Sequence, residues 1–131
     1  MRLLLDTHAL LWLLQDDHRL GSEARAAILD RGNDVFVSIV TFWEIAVKVR
    51  VGKLGPLDIE AVIATVTAHG LELLALEPRH IAALAGLPLF PDHRDPFDHQ
   101  LIAQAIAENL TFMTEDRNAP RYKATVMACS A

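Results

Sequence analysis

Five short apolar runs decide most of what this chain can fold into: "RLLLD" (2–6), "DVFVS" (34–38), "LELLAL" (71–76), "LTFMT" (110–114) and "ATVMA" (124–128). A strand with one face in water alternates apolar and polar residues. These runs are nearly continuous instead, which suits parallel strands covered on both faces.

Amphipathic segments fill the gaps. "HALLWLLQ" follows the first run, and "GSEARAAILDRG" opens with a Ser22 cap signal and stops at Gly32. "TFWEIAVKVRVGKL" places apolar residues at 42, 45, 46 and 49, one helix face. "LDIEAVIATVTAHG" runs from an Asp58 cap to Gly70, and "EPRHIAALAGLP" and "DPFDHQLIAQAIAEN" complete the set. Strands alternating with helices predict an α/β fold, a three-layer α/β/α sandwich around a mainly parallel sheet. The 131 residues, 52% of them hydrophobic, fit one domain spanning 1–131, with no repeat and no linker.

The apolar start is interrupted by Asp6, Thr7 and His8, and neither piece approaches the ~20 residues of a membrane span. No small-residue cleavage site follows. A single cysteine, Cys129, excludes an internal disulfide and a multi-cysteine zinc site. The expectation is a cytoplasmic protein without a membrane partner.

In such sheets, ligands bind beyond the carboxyl ends of the strands. The residues there are acidic. Asp6 closes the first strand, Glu44 lies early in the helix after the second, Asp98 sits in the first turn of "DPFDHQLIAQA", and Asp116 follows the strand ending at Thr114. Each has a plain structural reading. Asp6 suits a helix cap. Thr41 and Glu44 have capping-box spacing, and Glu44 with Lys48 has that of an i,i+4 ion pair. Asp98 favours a helix N-terminus, and Asp116 an ordinary turn.

Together they say more, because the predicted fold brings all four to one edge of the sheet. Four close carboxylates repel strongly, and divalent cations relieve that repulsion. Oxygen ligands without an obligatory histidine or thiolate favour Mg²⁺ or Mn²⁺ over zinc. Such ions activate water and stabilise the oxygens of an in-line displacement at phosphorus. Metal-dependent phosphodiester hydrolysis is the chemistry this pattern suits. The net charge of −5 argues mildly against a polyanion partner; setting those four acids aside leaves −1.

Four ordered blocks, "LLLDTHALLWLL", "VSIVTFWEIAVKVRVGKL", "HRDPFDHQLIAQA" and "TFMTEDRN", resemble a PIN domain of the VapC type, the ribonuclease toxin of bacterial toxin–antitoxin pairs. The resemblance implies Mg²⁺- or Mn²⁺-dependent RNA cleavage, homodimerisation, and inhibition by a cognate antitoxin that covers the active site. It maps the acidic quartet onto Asp6, Glu44, Asp98 and Asp116. Thr7 and Thr114 match positions that hydrogen-bond near the acids. One departure is His99, where similar sequences carry arginine; the substrate contact expected of that arginine does not carry over, and a solvent-facing role fits His99 better.

On this reading Asp6, Asp98 and Asp116 are the core metal ligands, with Glu44 binding directly or through water. Asp95, before Pro96 at the first helical position, is an N-cap that could also assist as a neighbour of the ligands. Lys48, Arg50, Lys53, Arg94, Arg117 and Arg121 are candidate RNA phosphate contacts. Two other classes compete. A phosphatase or phosphotransferase would use Asp6 as nucleophile, but enzymes of that type place a second acid two residues on, where this chain has His8. A catalytically silent binding module would keep the fold alone; the complete quartet argues against it. His8, His93 and Phe42–Trp43 read as structural or interface residues.

Overall fold

The computed structural model describes residues 1–131. Its strands are β1 (Arg2–Leu5), β2 (Asp34–Ser38), β3 (Glu72–Leu74), β4 (Thr111–Thr114) and β5 (Val126–Ala128). Its helices are α1 (Thr7–Leu14), α2 (Ser22–Leu29), α3 (Ile39–Arg50), α4 (Ile59–Ala68), α5 (Pro78–Ala85) and α6 (Pro96–Ala107). A 3₁₀ turn at Ala119–Tyr122 precedes β5.

All five strands pair in parallel, in the order β3-β2-β1-β4-β5. The sheet is therefore wholly parallel rather than mainly so. Its two faces bury separate cores. Leu3, Leu5, Val35, Val37 and Met113 point toward α1 through α4, against Leu10, Ile45 and Val66. Leu4 and Phe112 point the other way, against Leu101, Ile102 and Ala105 of α6. Neighbouring residues of β1 thus serve opposite cores, so its apolar run cannot alternate with polar residues. The result is the expected three-layer α/β/α sandwich.

Strand order matters most for function. The chain first winds from β1 outward to β2 and β3, then crosses back to place β4 and β5 on the other side. The reversal falls between β1 and β4, where Asp6 N–H extends the pairing onto Met113 O at 3.0 Å. Such a switch point opens a crevice beyond the strand ends.

Several helix starts differ from expectation. Ser22 does not cap α2: the N-cap is Gly21, with no side-chain bond. The Ala131 backbone oxygen accepts the Glu23 and Ala24 N–H groups instead, at 3.1 and 3.2 Å. A Cβ at Gly21 would stand 2.0 Å from that oxygen, so the close backbone approach requires glycine. The helix predicted from Thr41 starts two residues earlier, at Ile39, with Ser38 as cap accepting the Val40 N–H at 3.0 Å. No Thr41–Glu44 capping box exists. Thr41 lies a turn inside α3, and its buried hydroxyl has no hydrogen-bond partner. Asp58 caps α4 as expected, accepting from Glu60 and Ala61.

Candidate active site

Each acid is set by the element that carries it. Asp6 ends β1 and caps α1, its Oδ1 accepting the Ala9 N–H at 2.7 Å. Burial pushes its carboxyl above the ordinary carboxylate value. The Thr114 hydroxyl and the Ala9 N–H pull the other way without cancelling that effect.

Glu44 faces inward from α3 and is buried. Thr7 Oγ1 donates to its Oε1 at 2.6 Å, and Lys48 Nζ, one helical turn on, donates to its Oε2. Burial alone would lower Lys48, but the hydrogen bond and charge of Glu44 outweigh it and hold the ammonium above its usual value. More distant help comes from Asp95 and Asp98.

At the start of α6, Asp95 Oδ1 accepts the N–H groups of Phe97 (2.8 Å) and Asp98 (3.3 Å), with Pro96 at the first helical position. Asp98 stands one turn in. Its carboxyl is pushed up to about 7, first by burial, then by the charges of Asp95, Glu44 and Asp116. No lysine or arginine bonds to it.

Asp116 occupies the turn after β4. Its N–H donates to Thr114 Oγ1 (2.9 Å), and its Oδ1 accepts the Asn118 N–H (2.9 Å). Its Oδ2 lies 2.9 Å from His93 Nε2. An ionised carboxylate only accepts, so His93 donates from Nε2, and its Nδ1 meets the Tyr122 hydroxyl at 2.8 Å. His93 Nε2 is also 3.6 Å from Asp98 Oδ2. The imidazole, buried between α6 and the loop after β4, thus links two of the acids.

The structural readings hold as well, the Thr41–Glu44 box apart: Asp6 caps a helix, Glu44 pairs with Lys48, Asp98 lies in the first turn of α6 and Asp116 closes a turn. These roles do not scatter the acids, because each belongs to an element that starts or ends on the same sheet edge. Asp6, Asp98 and Asp116 line one cleft of about 400 Å³. Donor atoms of His93, Asp98 and Asp116 lie within 4.8 Å of one another, close enough to face a single small cation. Converging acids, one held up to about 7 with no lysine or arginine bonded to it, are a donor set that a hard divalent cation fits.

The expected basic contacts fall elsewhere. Lys48 turns in to Glu44. Lys53 and Arg94 line a neighbouring groove with Lys48, Asp95 and Phe97, and Arg94 Nε donates to Pro91 O at 2.7 Å. Arg121 binds Asp92 and Asn118 and lies over Phe90. Arg50 and Arg117 are exposed. His99 does not simply face solvent: its Nε2 donates to the His93 carbonyl at 2.7 Å.

Sequence reasoning missed His93. Its partners, Asp116 and Tyr122, are 23 and 29 residues away, and no local periodicity reports such a contact. Its one local sign is its place directly before the acidic start of α6.

A parallel sheet with carboxylates gathered at its switch point defines a class: α/β proteins that bind a charged ligand beyond the strand ends. Comparison with known proteins narrows it. The PIN domain family model matches residues 3–124, and the chain belongs to that family. No curated protein matches the sequence. Solved structures are similar in fold. VapBC2 from Rickettsia felis, bound to a promoter DNA fragment, has a TM-score of 0.71 at 17% identity, with 98% of each chain covered. VapBC-1 from nontypeable Haemophilus influenzae has 0.68 at 14%, with 100% of each covered. FitAcB from Neisseria gonorrhoeae has 0.68 at 19%, with 97% of each covered. PIN domains are generally nucleases, so hydrolysis of nucleic acid is the coarse activity that membership carries.

Proposed function

We propose that residues 1–131 form one nuclease domain that cleaves RNA with Mg²⁺ or Mn²⁺, as the toxin of a toxin–antitoxin pair. One observation carries the reading: acids from separate elements converge at the switch point, and the mutual repulsion at Asp98 goes unrelieved by any bonded lysine or arginine. Asp6, Asp98 and Asp116 would hold the cation, with Glu44 binding directly or through water. When bound, the ion supplies an activated water and offsets charge on the phosphate oxygens.

The chain's own residues do the rest. Thr7 and Lys48 fix both oxygens of Glu44, so that acid keeps its orientation as substrate enters. His93 fixes Asp116 in the same way, and Tyr122 fixes His93. The Thr114 hydroxyl supports both Asp6 and the Asp116 backbone. Single-stranded or looped RNA, whose bases and backbone are accessible, suits an open cleft.

The likeness to VapBC and FitAB complexes supports a cognate antitoxin as partner. Apolar side chains exposed on the outer strand (Leu73), the link after it (Leu76) and the next helix (Ile81) support a homodimer. No helix is long and apolar enough to cross a membrane. The test is induced expression followed by mapping of new RNA 5′ ends, with Asp98→Asn as control. Discrete cleavage by the parent and none by the variant is expected; identical profiles would overturn the reading.

A further inference from the structure

The six basic residues expected to meet RNA share one property: none lines the cleft that holds Asp6, Asp98 and Asp116. The arginine expected beside Asp98 is His99, and its imidazole is committed to the His93 carbonyl. A cleft that admits a phosphodiester needs some fixed donor for the chain it admits. One guanidinium does line it. Arg19, in the segment between α1 and α2, shares the cleft wall with His8 and Trp12.

Its setting is unusually fixed for an exposed arginine. The guanidinium carbon lies 4.9 Å from the centroid of the Trp12 ring. Asp17 grips one side of the fork, accepting from Nε at 3.1 Å and Nη2 at 2.7 Å. The Arg19 backbone N–H donates to the same carboxylate at 2.9 Å, closing a tight turn. Nη1 makes no hydrogen bond within the protein, so its donors remain for a ligand. A planar donor held on an aromatic face loses little freedom on binding a phosphate oxygen.

We propose that Arg19 seats an RNA backbone phosphate beside the scissile one, with Trp12 and Asp17 holding its guanidinium in place. The assignment rests on the ribonuclease reading. It makes Arg19 a positioning residue, the one lysine or arginine on the wall of the cleft that the RNA would cross. The competing explanation is that Arg19 only shields Trp12 and stabilises its turn.

The salt dependence of RNA binding separates the two. An Asp98→Asn parent binds a labelled single-stranded oligoribonucleotide without cutting it, and affinity is measured by fluorescence anisotropy across potassium chloride at fixed Mg²⁺. Removing one phosphate contact should lower the slope of log Kd against log salt by about 0.7 for a single strand. Arg19→Gln should show that drop with several-fold weaker binding at low salt. Arg19→Lys should keep the slope and lose part of the affinity. Thermal melting of each variant reports folding. An unchanged slope in Arg19→Gln, whatever its melting temperature, overturns the assignment and leaves the ribonuclease reading intact. If the Asp98→Asn parent binds no RNA and the wild type cuts none, both fall together.

Discussion

Two carboxylates of the site, Glu44 and Asp98, carry the same charge in opposite circumstances. Glu44 is 3% exposed, yet both its oxygens are engaged, one by Thr7 and one by a lysine. Asp98 is 39% exposed, yet it lies among three other acids and has no lysine or arginine bonded to it. Burial alone would make Glu44 the strained member; the partners reverse the order. A charge is tolerated inside a protein when it is paired and hydrogen-bonded, not when it is merely near water. Glu44 thus has partners in the ion-free protein, whereas Asp98 lacks a lysine or arginine and, on the proposed reading, gains its counter-charge from the cation.

Removing Asp98 should produce the largest change. Asp98→Asn should lower RNA cleavage by about three orders of magnitude, the scale on which a preorganised electrostatic group acts. Its effect on stability has the opposite sign. The folded value near 7 stands above the ordinary 3.8, so between these values the native state keeps a proton the unfolded chain has lost. Ion-free wild type therefore loses stability as pH rises from about 4 to about 7. Asp98→Asn should flatten that decline and be roughly 1–2 kcal/mol more stable at about pH 8, a figure discounted for partial exposure. Chemical denaturation at several pH values in a chelator checks this. A variant no more stable than wild type at high pH would show that Asp98 is not strained.

The matching change on the other side is Lys48→Met. It leaves Glu44 buried and charged with one partner fewer. Breaking a buried pair costs about 3–5 kcal/mol, and the 32% exposure of the Lys48 side chain brings the expectation to roughly 2–3. Melting temperatures of the two variants in chelator should therefore move in opposite directions. Movement in the same direction would break the contrast between the two acids.

The fold was legible because its signals are local. Continuous apolar runs report strands buried on both sides, and Asp58 and Pro96 report helix starts within a few residues. Three of the four acids were placed for a related reason: Asp6 and Asp116 follow strands and Asp98 lies in the first turn of α6, so topology carries them to one edge, whereas Glu44 stands further along α3. What failed was decided by distant chain. Ser22 has the composition of a cap, but the backbone oxygen of Ala131 does that work and requires Gly21. Thr41 and Glu44 have capping spacing, but Ser38 is already held by Gln104 across the sheet edge at 2.5 Å and starts the helix earlier. His93 depends on Asp116 and Tyr122, 23 and 29 residues away, and Arg19, though held locally by Asp17 and Trp12, meets Asp98 and Asp116 only in the folded cleft.

His93 tests whether the Asp98 side has any support of its own. A residue that orients a metal ligand typically contributes 10–100-fold in metal affinity. His93→Phe keeps the ring packing against Tyr122 but frees Asp116 Oδ2, so Mn²⁺ affinity by calorimetry should fall by about that factor. Affinity equal to wild type would reduce His93 to a core residue.

The smallest effect concerns Asp95, and it is composite. As the α6 cap, its loss should cost about 1 kcal/mol. Its charge is also the foremost of those raising Asp98, so its loss relieves part of the repulsion. At about pH 8 in chelator, where Asp98 is ionised, the two effects oppose each other, and Asp95→Ala should cost less than a plain cap. In an Asp98→Asn background no repulsion remains to relieve, and the same substitution should cost the full amount. A double-mutant cycle reads the difference as a coupling of several tenths of a kcal/mol. Equal costs in both backgrounds would mean that Asp95 acts on the backbone alone. A larger cost in the Asp98→Asn background would mean that one carboxylate both builds the helix start and keeps its neighbour strained.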